Sequence, residues 1–112
     1  MHFDIDDYRD RLGGSEELMG LVAGEFRREI QDFMSQLHDL VSAGNWELVA
    51  PLAHRIKGAS AEVSCTTMPT LAKSLELAAR DEDADQVKKL HQDLVNALNG
   101  LLAEMNQVLP SV

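Results

Sequence analysis

The chain has 112 residues, of which 45% are hydrophobic and 4% aromatic, and its formal net charge is -9. This length suits one domain, residues 1–112, and the composition suits a helical bundle. The excess of 19 acidic over 10 basic residues argues against nucleic acids and anionic lipids as partners, because both require many basic residues. The single cysteine excludes an intramolecular disulfide, and no stretch resembles a membrane span or a signal peptide. We expect a cytoplasmic monomer, and the compact length after Met1 favours a free-standing protein over the end of a longer one.

The N-terminal third of the chain predicts a short helix and then a long one. Hydrophobic residues share one side of the segment from Asp4 to Leu12, and Gly13-Gly14 interrupts the pattern. Ser15 is a good N-cap, and apolar residues then recur at steps of three and four up to about Ala43. The apolar face comprises Leu18, Val22, Phe26, Ile30, Phe33, Leu37 and Leu40.

Three more long helices follow. The first is expected from about Trp46 to Ser64, after the break at Gly44-Asn45. Thr67 is the predicted N-cap of the next helix, and Asp83 is that of a last helix ending near Gln107. With helices alone predicted, we expect an all-α fold. Because short connections force neighbouring helices to run antiparallel, we expect an antiparallel up-down-up-down four-helix bundle with a short leading N-terminal helix.

The helix over 46–64 carries His54 on the side away from its apolar stripe. If Leu52 marks the centre of the stripe, His54 lies about 160° away around the helix. Four other apolar residues lie within about 40° of Leu52: Leu48, Ile56, Ala59 and Val63. The nearest surface neighbours of His54 are Lys57 and Gly58. The pattern predicts an exposed imidazole with a cation beside it.

An exposed imidazole can act as a general base, a metal ligand or a phosphoryl acceptor. General base catalysis needs a cleft, which a convex helix face does not offer. Metal binding needs more ligands, but Ala50 and Gly58 flank the ring, and the other histidines have no ligand-like spacing. We expect those histidines, His2, His38 and His91, to be ordinary solvent-exposed residues. Phosphoryl acceptance fits best, because Lys57 would neutralise part of the added charge.

The same helix face suits the approach of a second protein. Transfer to an acceptor carboxylate requires that protein to come very close, and Gly58 has no side chain to obstruct it. Ala50 and Ala61 would keep the rest of the face low. Between Leu48 and Leu75 the one acid, Glu62, is outnumbered by three bases: Arg55, Lys57 and Lys73. We therefore expect a locally basic patch suited to an acidic partner pocket.

The segment from Ala53 to Ala61, AHRIKGASA, closely resembles the H-x-x-K-G-[SA]-[SA] signature of histidine-containing phosphotransfer (HPt) domains. The resemblance extends to Leu12-Gly13-Gly14, Gly44-Asn45-Trp46 and Leu75-Glu76, and it covers nearly the whole chain. It implies that His54 accepts a phosphoryl group from a receiver-domain phospho-aspartate on its outward ring nitrogen. The phosphohistidine then donates to the aspartate of a response regulator.

The resemblance also implies roles for the neighbours of His54. Lys57 would help to hold the phosphoryl group, Gly58 would permit the receiver to approach, and Glu76 would orient the imidazole. The expected partner-binding residues are Arg55, Ala50, Ala61 and Ser60. The chain would need no cofactor of its own, since the receiver brings the magnesium, and it would be a phosphohistidine carrier without an ATP site. Three residues depart from the family pattern near the end of the histidine helix, namely Glu62, Ser64 and Cys65.

Two alternatives stay open. An ATP-binding histidine kinase domain would phosphorylate His54 directly if this were a chemotaxis-type module, or the chain would be a non-catalytic adaptor bundle in which His54 is incidental. A ferritin-like metal protein is disfavoured, because its inward-facing Glu and His ligands are replaced here by Leu, Val, Ile and Phe.

Overall fold

The computed structural model describes residues 1–109, so positions 110–112 of the expected domain lie outside the described residues. Within this range the chain forms α1 Ile5–Arg11, α2 Glu16–Ala43, α3 Trp46–Glu62, α4 Met68–Arg80 and α5 Ala84–Val108. A short leading helix and four long helices confirm the predicted all-α architecture. None of the helices in residues 1–109 combines the length with the apolarity that crossing a bilayer requires.

The helix ends follow mostly from local capping. The side chains of three N-cap residues accept hydrogen bonds from main-chain N–H groups in the first turn: Asp4, Ser15 and Asp83. Gly44 ends α2 in the left-handed conformation, with φ of 70°, which glycine adopts without strain. Thr67 occupies the predicted N-cap of α4 but does not cap it. Its hydroxyl lies 2.6 Å from Nδ1 of His2 instead.

The four long helices pack around one apolar core. Arg27 of α2 donates to Asn106 of α5, whereas His38 lies beside His91, so these two helices run in opposite directions. The interior shared by the four long helices holds large side chains with no exposed surface, including Ile30, Leu37, Ile56, Leu75, Leu94 and Leu101. Within residues 1–109 the only buried polar or charged residues are Ser60, Ser64 and Glu76.

Two leucines predicted to face the core are exposed. The exposed fraction is 48% for Leu18 and 52% for Leu48. Each is the third residue of its helix, and the residue that follows it, Met19 or Val49, is the one buried in the core at that turn. The rest of the predicted α3 stripe is buried: Leu52, Ile56, Ala59 and Val63.

The N-terminal segment determines where α3 ends. The helix was predicted to reach Ser64, but it stops at Glu62 because residues 2–4 pair with residues 64–66. Phe3 and Cys65 form an antiparallel bridge, and the Asp4 N–H donates to the Ser64 carbonyl oxygen at 3.1 Å. Ser64 takes a left-handed φ of 57°, which no helix can include. This long-range pairing cannot be seen in the local pattern.

Candidate functional site

His54 lies in the middle of α3 and faces away from the core. Its side chain is 67% exposed, whereas Ala53 and Ile56 beside it in the helix are completely buried. The predicted orientation is therefore confirmed. The ring is also held at one edge, because Nδ1 lies 3.4 Å from Oε1 of Glu76 on α4.

Glu76 is a buried carboxylate in an otherwise apolar stripe of α4. The stripe consists of Met68, Ala72, Leu75, Glu76 and Ala79. This register points Glu76 at α3, where its side chain is only 3% exposed. Its second oxygen, Oε2, lies 2.6 Å from Nη2 of Arg80, one turn further along α4. The expected contact between Glu76 and the imidazole is thus present, and an arginine completes it.

Glu76 is ionised in this setting. Burial alone would raise its pKa, but the hydrogen bond from His54 and the positive charges of Arg80 and Lys73 outweigh burial and hold the pKa below its ordinary value of 4.5. An ionised carboxylate only accepts hydrogen bonds, so Nδ1 of His54 is the ring nitrogen that carries hydrogen. In a neutral ring the other nitrogen, Nε2, then has its lone pair available on the exposed side.

Lys57 and Gly58 complete the surface around the imidazole. Lys57 lies one turn after His54 on the same helix, and it makes no ion pair with any other residue in 1–109. A Cβ atom built at Gly58 would meet nothing within 4 Å. The interior packing therefore does not require glycine here, and the surface over Gly58 is open.

The structure corrects the expected partner-binding surface. Ala50 and Ser60 are buried, with 6% and 0% exposed, because α4 packs closely against this side of α3. They therefore expose little surface to a partner, and their role in binding stays a prediction. Ala61 is half-buried, and its carbonyl oxygen accepts a hydrogen bond from Arg11 at 2.9 Å. Arg55 is exposed, but its guanidinium lies over the ring of Phe33 on α2, 5.4 Å from the ring centre, and so on the other flank of α3.

Sequence reasoning missed Arg80 as part of the site. The signal was present, because Glu76 and Arg80 are four residues apart in a predicted helix and such residues are neighbours on its surface. The burial of Glu76 could not be predicted from the sequence. This burial places the Glu76 carboxylate between Arg80 and His54.

The other histidines lie away from this site. His38 is exposed as expected, but the expectation is wrong for His2 and His91, which are half-buried. His91 lies beside His38 with a ring separation of 5.8 Å, and burial together with this neighbour lowers the pKa of His91. Among residues 1–109, no group of three or more His, Cys, Asp or Glu residues could hold a metal ion.

Comparison with models of protein families gives a match. Searches of curated proteins and of solved structures found none. A family model described as Hpt domain matches residues 22–108, which cover α2 from its second turn, all of α3 and α4, and α5 to its end. The chain therefore belongs to the Hpt domain family, whose members carry out histidine phosphotransfer in two-component signalling.

Proposed function

We propose that His54 is the phosphoryl acceptor of this Hpt domain. It takes the group from the phospho-aspartate of a receiver domain and passes it to the aspartate of a response regulator. The observation that carries the proposal is the asymmetry of the ring: Nδ1 faces the buried carboxylate of Glu76, and the rest of the 67% exposed side chain faces solvent.

This asymmetry suits nucleophilic attack by Nε2. The Nε2 lone pair attacks phosphorus, the bond between phosphorus and the aspartyl oxygen breaks, and the receiver's carboxylate leaves with the electron pair. Glu76 keeps the hydrogen on Nδ1, so the ring presents the correct nitrogen without a prior proton shift. The reverse attack, by a carboxylate on the phosphohistidine, returns the electron pair to Nε2 and frees the imidazole.

Lys57 and Gly58 serve the phosphoryl group and the partner. Phosphorylation brings up to about two negative charges to the ring, and the Lys57 ammonium one turn away offsets part of them. The open surface over Gly58 lets the receiver come close enough for in-line transfer.

We propose that the chain acts as a monomer in the cytoplasm, and that the magnesium ion for the reaction resides on the receiver. The chain itself would then be a carrier without an ATP site.

The test is transfer of labelled phosphate from a phosphorylated receiver to the wild-type chain, His54→Gln and His38→Gln. His38 is the matched control, because it is also exposed but lies on α2 away from Glu76. The expected result is acid-labile, alkali-stable label on the wild type and His38→Gln, and none on His54→Gln. Label on His54→Gln equal to that on the wild type would overturn the assignment.

A second arm separates the donors. Labelling by an ATP-bound histidine kinase domain, with none from any phosphorylated receiver, would replace the relay with direct phosphorylation. Absence of label from both donors would favour an adaptor bundle instead.

A further inference from the structure

We propose that Arg80 is a positioning residue for phosphotransfer: it holds the Glu76 carboxylate in place and balances its charge, so that the imidazole of His54 keeps its hydrogen on Nδ1 and presents Nε2 to the partner. The inference rests on the proposed role of His54 and extends the site by one residue. Arg80 does not touch the phosphoryl group in this account, and it acts through Glu76.

The three side chains form a chain of contacts that uses both carboxylate oxygens. Oε2 of Glu76 lies 2.6 Å from Nη2 of Arg80, and Oε1 lies 3.4 Å from Nδ1 of His54. A short charge-assisted contact at one oxygen fixes the plane of the carboxylate. The other oxygen, Oε1, is then directed at the imidazole. Its contact with Nδ1 is the longer and weaker of the two. Without Arg80, the weaker contact alone would have to orient Glu76.

Charge balance gives the second part of the argument. A buried carboxylate is costly unless a positive charge pairs with it, and only an ionised carboxylate has both oxygens free to accept hydrogen bonds. The groups that act on Glu76 are His54 on α3 and Arg80 and Lys73 on α4, and Lys57 adjoins His54 on α3. Of the two α4 cations, Arg80 alone lies within ion-pair distance of Glu76. Arg80 therefore helps to keep the buried carboxylate ionised, so that Oε1 can accept the hydrogen of Nδ1.

The ion pair between Arg80 and Glu76 differs from an ordinary surface ion pair. Lys89 and Asp93 on α5 have the same spacing of four residues and a contact of 2.8 Å, with the two side chains 67% and 35% exposed. Such pairs contribute little to folding, because water screens them. In the Arg80 pair the acid is only 3% exposed and touches the reacting ring. Lys89→Gln is therefore a matched control for loss of a helical ion pair.

The experiment compares the full chain as wild type, Arg80→Gln, Arg80→Lys and Lys89→Gln. One measurement is the tautomer and protonation of His54 in the unphosphorylated protein, followed with ¹⁵N-labelled histidine by NMR. The other is the rate of phosphoryl transfer from a phosphorylated receiver as a function of pH. Circular dichroism verifies that each variant is folded.

For Arg80→Gln we expect more of the Nε2–H tautomer and a transfer rate at neutral pH lower on the order of tenfold, as when a group supporting a functional imidazole is removed. Arg80→Lys restores most of the rate, because the contact involves a single guanidinium nitrogen. Lys89→Gln behaves as wild type.

Two results would overturn the proposal. One is an Arg80→Gln variant whose His54 tautomer and transfer rate equal those of the wild type. The other is transfer slowed by one factor at every pH with the tautomer retained, which would assign Arg80 to direct contact with the partner. The NMR measurement needs no phosphoryl donor, so it remains decisive for Arg80 even if His54 of the wild type takes up no label.

Discussion

Nδ1 of His54 lies 3.4 Å from Oε1 of Glu76, and the two side chains differ sharply in exposure, at 67% and 3%. One edge of the imidazole is thus tied to the interior of the bundle while the other edge faces solvent. A side chain on a helix surface normally samples several rotamers. Here the buried carboxylate selects the ring orientation, so the reactive nitrogen points outward without a surrounding cleft.

The pH dependence of stability tests the charge on Glu76. Its pKa is lowered in the folded state, so its ionised form stabilises the fold above the ordinary value of 4.5, and that contribution is lost as the pH falls through the lower folded value. Glu76→Gln removes this contribution, so its unfolding free energy should fall less steeply with acid than that of the wild type. Urea unfolding, followed by the fluorescence of the single tryptophan, Trp46, between about pH 3 and pH 7 measures the difference.

The slope in acid should shrink in Glu76→Gln without vanishing. For Glu104, burial opposes ionisation, but hydrogen bonds from the main-chain N–H groups of His2 and Phe3 outweigh burial and also lower the pKa. The control is Glu62→Gln, since Glu62 is exposed and has no ion-pair partner in residues 1–109. Identical acid slopes for Glu76→Gln and the wild type would contradict an ionised Glu76.

Gly58 offers a test in which stability and function change in opposite directions. Alanine at an exposed helical glycine stabilises by about 0.5–1 kcal/mol, and a Cβ at position 58 meets no atom within 4 Å. Gly24→Ala in α2 is the control, since its Cβ would make only an ordinary contact with Arg28 at 3.7 Å. Both variants should gain stability in urea unfolding, but only a side chain at position 58 should slow phosphotransfer.

The larger Gly58→Leu should slow phosphotransfer further, by up to about 100-fold, because it holds the partner away from His54. Equal transfer rates for Gly58→Leu and the wild type would exclude close approach over this face.

Features that depend on local geometry could be predicted from the sequence. The limits of α2 follow from Ser15 and Gly44, because a cap is decided by a few neighbouring residues. The outward direction of His54 follows from the helical period alone. For the same reason the all-α class could be predicted before any contact between helices was known.

Features that depend on packing between distant segments could not be predicted. The burial of Ala50 and Ser60 depends on how closely α4 approaches α3, which no pattern within α3 records. The early end of α3 depends on the pairing of Phe3 with Cys65, more than 60 positions apart along the chain. Arg80 joins the site only because the α4 register buries Glu76 against His54.

The interior of α4 should be far more sensitive to truncation than its surface. Leu75 has no exposed area, whereas Leu77 on the same helix is 48% exposed. Leu75→Ala leaves a cavity beside Glu76 and should lower the unfolding free energy by about 2–5 kcal/mol. Leu77→Ala should change it by no more than about 0.5 kcal/mol. Urea unfolding of the two variants measures both, and equal losses would contradict the assigned face of α4.

The final prediction concerns α1, which precedes the segment that matches the Hpt model. Tyr8 is completely buried, its hydroxyl donates to the Met19 carbonyl oxygen at 2.6 Å, and its ring packs edge-on against Phe3 with 5.3 Å between ring centres. Tyr8→Phe removes only the hydrogen bond and should cost about 1 kcal/mol of unfolding free energy. Tyr8→Ala also removes the ring and should cost about 3–5 kcal/mol, as for other large buried aromatic residues. Arg9→Gln, at an exposed position of the same helix, serves as the control. If α1 only rested on the surface, both Tyr8 variants would unfold at the same urea concentration as the control, because the rest of the bundle would not depend on it.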